Sequence, residues 1–178
     1  MAVRSFAGKT PAVPASTWVD PSAQVIGAVQ FGEDCSVWPC AVVRGDMQRI
    51  TLGNRVSVQD NAVLHITHDS SFNPGGFALQ VGDDVTLAHQ VMLHGCTIGN
   101  RVMIGMQSIV MDGAVIEDDV ILAAGSLVPP GKRLQSGYLY RGRPATAARP
   151  LTDEERAFLP YVAGNYVKLK NQYRAEAE

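Results

Sequence analysis

Four histidines hold most of the chemistry open to this chain, and all fall between positions 65 and 94: His65, His68, His89 and His94. A neutral imidazole is the commonest protein ligand for a transition metal. Three imidazoles around one divalent ion, with a fourth position left to water, give hydroxide at neutral pH. Two polar groups stand near them in sequence or periodicity: Arg44-Gly-Asp46 and Gln59-Asp60-Asn61. A carboxylate can orient an imidazole or balance a guanidinium, and a carboxamide can bond to a bound hydroxide. Cys35, Cys40 and Cys96 are an odd number without paired zinc spacing, so neither a disulfide framework nor a cysteine metal site is expected.

The elements that must position these side chains are written in a six-residue repeat. An aliphatic residue recurs at Val81, Leu87 and Leu93. After one five-residue step it recurs at Ile98, Ile104, Val110, Ile116 and Leu122. The same step appears at Val25, Phe31, Val37 and Val43, and again at Leu52, Val58 and Leu64. A period of six is neither the 3.6 of a helix nor the 2 of a plain strand. It predicts an all-β solenoid, a parallel β-helix whose coils each take three hexads. Turn residues such as Gly82-Asp83 and Gly99-Asn100 sit where the corners fall.

The repeat also does geometry. After Leu64 the next hexad is due at 70 but begins at Val81, so Thr67–Phe77 reads as an extruded loop of 11 residues. His65 and His94 are 29 apart, and without the loop the separation is 18, one whole coil. Both follow an interior leucine (Leu64, Leu93), so they are expected to stack outward on one face at metal-ligand spacing. His89 falls on the preceding face and is not expected to meet that pair within one chain. Prisms packed side by side in a three-fold trimer would bring it to a neighbour's pair.

One domain over 1–178 is expected: coils over 19–130, a connector over 131–151 and a C-terminal helix over 152–176. Thr152 and Glu155 form a capping box, Val162, Tyr166, Leu169 and Tyr173 share a helix face, and Pro160 is expected to kink the helix. The 178 residues are 46% hydrophobic and 18% charged, which excludes a disordered chain. With 15 Lys and Arg against 17 Asp and Glu, the net charge of −2 offers no field for nucleic acid or an anionic membrane. No apolar run reaches the roughly 20 residues of a membrane span. Met1–Lys9 lacks a signal-peptide core, so a cytoplasmic protein is expected.

Taken together, Arg44-Gly-Asp46, Gln59-Asp60-Asn61 with His65, His89, and His94-Gly-Cys-Thr-Ile-Gly99 resemble the gamma-class carbonic anhydrase family. The run Ile104–Gly113 resembles the segment that follows in that family. The resemblance implies a left-handed β-helix and a homotrimer with a metal at each interface. His65 and His94 would come from one subunit and His89 from the next. It implies zinc, with iron(II) or cobalt(II) as substitutes, and reversible hydration of CO2 to bicarbonate by a metal hydroxide. Gln59 matches the glutamine that positions that hydroxide. Arg44, Asp46 and Asp60 match the polar set around the ligands and across the interface, and Tyr166 matches a polar group brought by the C-terminal helix. The chain departs from the founding member at its proton relay. Met47 follows Asp46 and the 67–77 loop has no glutamate, which leaves His68 and Asp69. Two other readings go with the fold: a metal-binding trimer or ligand binder with little turnover, and an acyltransferase needing one histidine as general base.

Overall fold

In a computed structural model that describes residues 2–177, the hexads form short strands on three faces of a prism. Every third strand pairs in parallel with its predecessor one coil below. The first face stacks Val63–His65, Met92–His94, Ile109–Val110 and Leu127–Val128. The second stacks Leu79–Val81, Thr97–Ile98, Val115–Ile116 and Arg133–Leu134. The third carries Ser57–Val58, Thr86–Leu87, Met103–Ile104 and Ile121–Leu122. Two long strands, Gln24–Phe31 and Val42–Leu52, bend from the first face onto the second.

Register explains why the sequence folds this way. On the third face Val37, Val58, Leu87, Ile104, Leu122 and Tyr140 lie directly over one another, all buried. Strand alternation points each of these inward, and burial of such a side chain is worth about 1.5–3 kcal/mol.

Corners are bound by a ladder of side-chain acceptors. Asn54 N–H donates to Asp83 Oδ1 at 2.7 Å, Asp83 N–H to Asn100 Oδ1 at 2.9 Å, and Asn100 N–H to Asp118 Oδ1 at 2.8 Å. Each carboxylate or amide crosses over a glycine of the coil before. A Cβ on Gly82 would lie 2.5 Å from Asn100 Oδ1 and 2.8 Å from the Gly99 carbonyl. Gly82→Ala is therefore expected to cost about 2 kcal/mol as an overpacked contact, roughly 4–8 °C in Tm by calorimetry. An unchanged Tm would mean that the coils part without cost.

The solenoid reaches beyond 19–130 at both ends. Val3–Arg4 pairs with Val25 and Ile26, adding a rung before the first visible hexad. The expected connector 131–151 holds two more rungs, Arg133–Leu134 and Tyr138–Gly142. It ends in an antiparallel strand, Ala145–Pro150, that turns back on Tyr138–Gly142. The N-terminal rung lies ahead of the repeat because Lys9–Pro11 offers no aliphatic residue. At the other end Leu134 keeps the six-residue step after Val128, and the pattern is lost at Tyr140, which puts an aromatic ring at the interior position.

The helix Asp153–Ala177 lies along the third face. Its capping box is closed: Thr152 N–H donates to Glu155 Oε2 at 2.9 Å, and Glu155 N–H to Thr152 Oγ1 at 3.2 Å. The Arg149 guanidinium, with the Thr152 N–H, holds the Glu155 carboxyl down at about 2. Tyr166 and Tyr173 pack edge-on against Trp38, with ring centroids 5.7 and 5.3 Å away. The helix runs unbroken through Pro160, against expectation. Pro160 and Arg156, whose carbonyl loses its donor there, are both exposed, so water can take the bond. Among the described residues no helix is long and apolar enough to cross a membrane.

Candidate metal centre

His65 and His94 stand directly opposite one another in the first-face ladder, beside the pairs Leu64–Leu93 and Val63–Met92. The leucines point in, so the imidazoles point out. Their ring centroids are 5.1 Å apart, and His65 Nδ1 lies 3.1 Å from His94 Nε2. The 67–77 extrusion that makes this register possible is closed at its neck by an antiparallel bridge between Thr67 and Phe77.

Each ring meets a carboxylate on its far side. His65 Nε2 is 3.0 Å from Asp46 Oδ1, and His94 Nδ1 is 2.7 Å from Asp112 Oδ1. An ionised carboxylate only accepts, so the nitrogen facing it carries the proton. Those partners assign the tautomers, Nε2–H on His65 and Nδ1–H on His94. With both rings neutral, the two nitrogens left over present lone pairs to each other at 3.1 Å. Such a pair repels unless a cation lies between. Two nitrogens on a tetrahedral zinc stand roughly 3.3–3.4 Å apart. The donor set and its spacing therefore fit a metal of the zinc type.

Charge states support the same fit. Burial pushes the His65 pKa down, outweighing the pull of Asp46, which favours the neutral ring that a metal ligand needs. Burial alone would raise Asp46, but hydrogen bonds from His65 and Arg44 bring it below the usual carboxylate range. Arg44 pairs with Asp46 inside one chain. Gly45 between them is sterically required, since a Cβ there would lie 2.7 Å from the Ala28 carbonyl oxygen.

The remaining predicted residues gather elsewhere. Gln59, His89 and Tyr166 line a cavity of about 270 Å³ between the third face and the C-terminal helix. His89 Nδ1 donates to Asp60 Oδ2 at 2.8 Å, which leaves Nε2 free on a half-exposed ring. Gln59 is buried at the cavity wall. Burial raises the Tyr166 phenol, the Asp60 charge adds to this, and a contact with Gln59 offsets part of it. The cavity is otherwise mostly apolar, and the Thr86 hydroxyl at its wall is buried without a partner.

One chain thus carries two half-sets, Arg44, Asp46, His65 and His94 on the first face, and Gln59, Asp60, His89 and Tyr166 at the corner of the third. Among the described residues of one chain, no three His, Cys, Asp or Glu side chains converge to hold a metal. His68 is exposed at the base of the loop. Asp69 accepts the Gly75 N–H at 2.7 Å, within its own loop. Cys96 is fully buried, as its position after His94 suggests. Asp112 was not foreseen from the sequence, although the repeat held the signal, since it follows His94 by 18 residues, one coil.

A parallel β-helix built on a six-residue repeat defines a class, the hexapeptide-repeat proteins. The family model described as bacterial transferase hexapeptide (six repeats) matches residues 95–130. Protein YrdA of Escherichia coli is 52% identical over 96% of this chain and 93% of its own length. A protein of Geobacillus kaustophilus named carbonic anhydrase is 39% identical over 96% of this chain and 90% of its own. A crystal structure of a hexapeptide transferase family protein from Anaplasma phagocytophilum superimposes with TM-score 0.88 at 40% identity, covering 97% of this chain and 98% of that one. The chain belongs to the gamma-class carbonic anhydrase family, within the hexapeptide-repeat superfamily, whose left-handed β-helix it shares.

Proposed function

We propose that this protein is a homotrimeric metalloenzyme that reversibly hydrates CO2 to bicarbonate, with one site at each subunit interface. The observation that carries the proposal is the facing ring nitrogens of His65 and His94, 3.1 Å apart, each ring fixed by its own aspartate. His89 of a neighbour supplies the third imidazole; its Nε2 is free and its Nδ1 is fixed by Asp60 in the same manner. An apolar stripe supports the assembly. Val42, Val63, Met92, Ile109 and Leu127 stack outward beside the histidine pair, partly exposed, where a second copy would cover them. Zinc is the metal that the three nitrogens favour, with iron(II) or cobalt(II) as substitutes.

A metal held there would supply a nucleophile at neutral pH, since coordination acidifies water. The chain does the rest. Asp46, Asp112 and Asp60 would each fix the orientation of one of the three rings. Gln59 presents a carboxamide from a buried position, and so can orient the attacking oxygen. The apolar cavity beside Gln59 and His89 suits a small molecule without charge, and Tyr166 closes its helical side. Arg44 balances Asp46. His68, one residue beyond Thr67, is the exposed imidazole that can pass the released proton to solvent. The free thiols of Cys35, Cys40 and Cys96 suit a reducing cytoplasm.

Two readings compete. The absence of a glutamate from the 67–77 loop favours a metal-binding trimer without turnover. The superfamily favours acyl transfer, but that chemistry needs one base and leaves three carboxylate-fixed imidazoles unexplained. Metal analysis and stopped-flow CO2 hydration on one preparation separate them. We expect one metal per protomer and hydration above the buffer rate. Metal without hydration would leave the trimer as a binder. Tight coenzyme A binding by metal-free protein would favour acyl transfer.

A further inference from the structure

The carboxylate behind His94 serves two partners at once. Asp112 Oδ1 accepts from His94 Nδ1–H at 2.7 Å, and Asp112 Oδ2 accepts from the Thr67 hydroxyl at 2.8 Å. Thr67 is the first residue of the extruded loop. Its N–H donates to the Phe77 carbonyl at 3.1 Å and its carbonyl accepts from Phe77 N–H at 2.8 Å, which clamps the neck. Gly95, next to His94, leaves the space in which Asp112 reaches the ring. A Cβ on Gly95 would lie 2.4 Å from Asp112 Oδ1 and 2.6 Å from Phe77 Cβ.

Charge sets Asp112 apart from the other carboxylate of the pair. Asp46 is shared between His65 and the Arg44 guanidinium. Among the described residues Asp112 has no lysine or arginine partner, only the His94 ring. Its orientation is therefore held by two hydrogen bonds, one to the imidazole and one to the loop neck. Loss of Thr67 would free the carboxylate to swing about its Cβ. Loss of the carboxylate would leave His94 free to adopt either tautomer, one of which directs a proton at the place of the metal.

We propose that Asp112, steadied by Thr67, is the positioning residue for His94, so that the neck of the 67–77 loop is a structural support of the metal centre. The inference rests on the metal-centre reading and adds to it a function for the loop. A loop built only as a surface excursion needs no hydroxyl bound to a ligand's carboxylate.

Zinc affinity tests this without recourse to turnover. Metal-stripped protein is titrated with zinc against a chromophoric chelator, for wild type, Asp112→Asn and Thr67→Val. Asp112→Asn is expected to weaken binding roughly 10–100-fold. Thr67→Val, nearly the same shape without the donor, is expected to weaken it several-fold. Both should shift the visible band of the cobalt(II) form while the Tm of the metal-free protein stays unchanged. Zinc binding within twofold of wild type in both variants would overturn the proposal. So would a loss of affinity that tracks an equal loss of metal-free stability, since Asp112 would then be structural. If Asp112→Asn does not fold, Thr67→Val decides alone. A wild type that takes up no zinc would remove the metal-centre reading itself, whereas tight wild-type binding with indifferent variants removes only this inference.

Discussion

Replacing His94 by alanine is expected to empty the site of metal. The wild type should retain about one zinc per protomer through gel filtration and the variant essentially none, as read by atomic emission on the eluted peak. The argument runs through the facing nitrogens. With Nε2 of His94 gone, His65 Nδ1 has no companion on its own chain, and only His89 of the neighbour remains. Two ligands do not make the three that zinc chemistry uses. Any CO2 hydration should fall by a factor on the order of 10³ or more, since the nucleophile depends on the ion. Stability should move far less. His94 is part exposed on an outward position, while the inward Leu93 keeps its place in the buried column. The Tm of metal-free variant and metal-free wild type should therefore agree within a few degrees. If the variant kept its metal, the ligand set proposed here would be wrong.

Much of this site could be read before any coordinates, because a solenoid converts sequence separation into height. His65 and His94 needed only the excision of Thr67–Phe77, and the bridge between those two residues closes the loop at the expected ends. The same conversion applies to the carboxylates. Asp60 and His89 are also 29 apart across the loop, and His94 and Asp112 are 18 apart, so each pair spans one coil. Asp112 escaped because Met111-Asp112-Gly113 reads as a turn, and a turn aspartate has many local uses. What the repeat does not encode is direction at the corners. Which way His89 faces, and that Gln59 is buried under the helix while Asp60 is not, depends on how the helix seats against Trp38 and Trp18. Lys170 shows the same limit. It belongs to a surface class by type, yet it is fully buried, with Nζ 3.0 Å from Asp34 Oδ1 and 2.7 Å from Asn171 Oδ1. A buried ammonium is tolerable only with such partners, and no linear pattern announces them.

Complementation between two inactive variants should give the largest qualitative effect. Within one chain the half-sets are separate, so a variant lacking His89 keeps an intact first-face pair, and a variant lacking His94 keeps an intact corner. Each homotrimer should fail to hold metal, because every interface lacks one ligand. Coexpression changes the arithmetic. In a trimer of mixed composition the His89→Ala and His94→Ala subunits meet at interfaces of both orders. One order joins two defects, and the other joins an intact pair to an intact His89. A mixed trimer then holds one complete site of its three, whichever variant is in excess. Random assembly at equal expression makes about three trimers in four mixed, so roughly a quarter of the wild-type metal and hydration should return. If the three histidines were gathered by one chain through a local rearrangement, no mixture could restore a site and recovery would be zero. A shared interface and a self-contained centre therefore give opposite answers in a single metal measurement. A recovered fraction near a quarter reports that each site draws on two neighbouring subunits; that fraction is the same for any closed ring, so the three-fold itself is read from the mass of the oligomer.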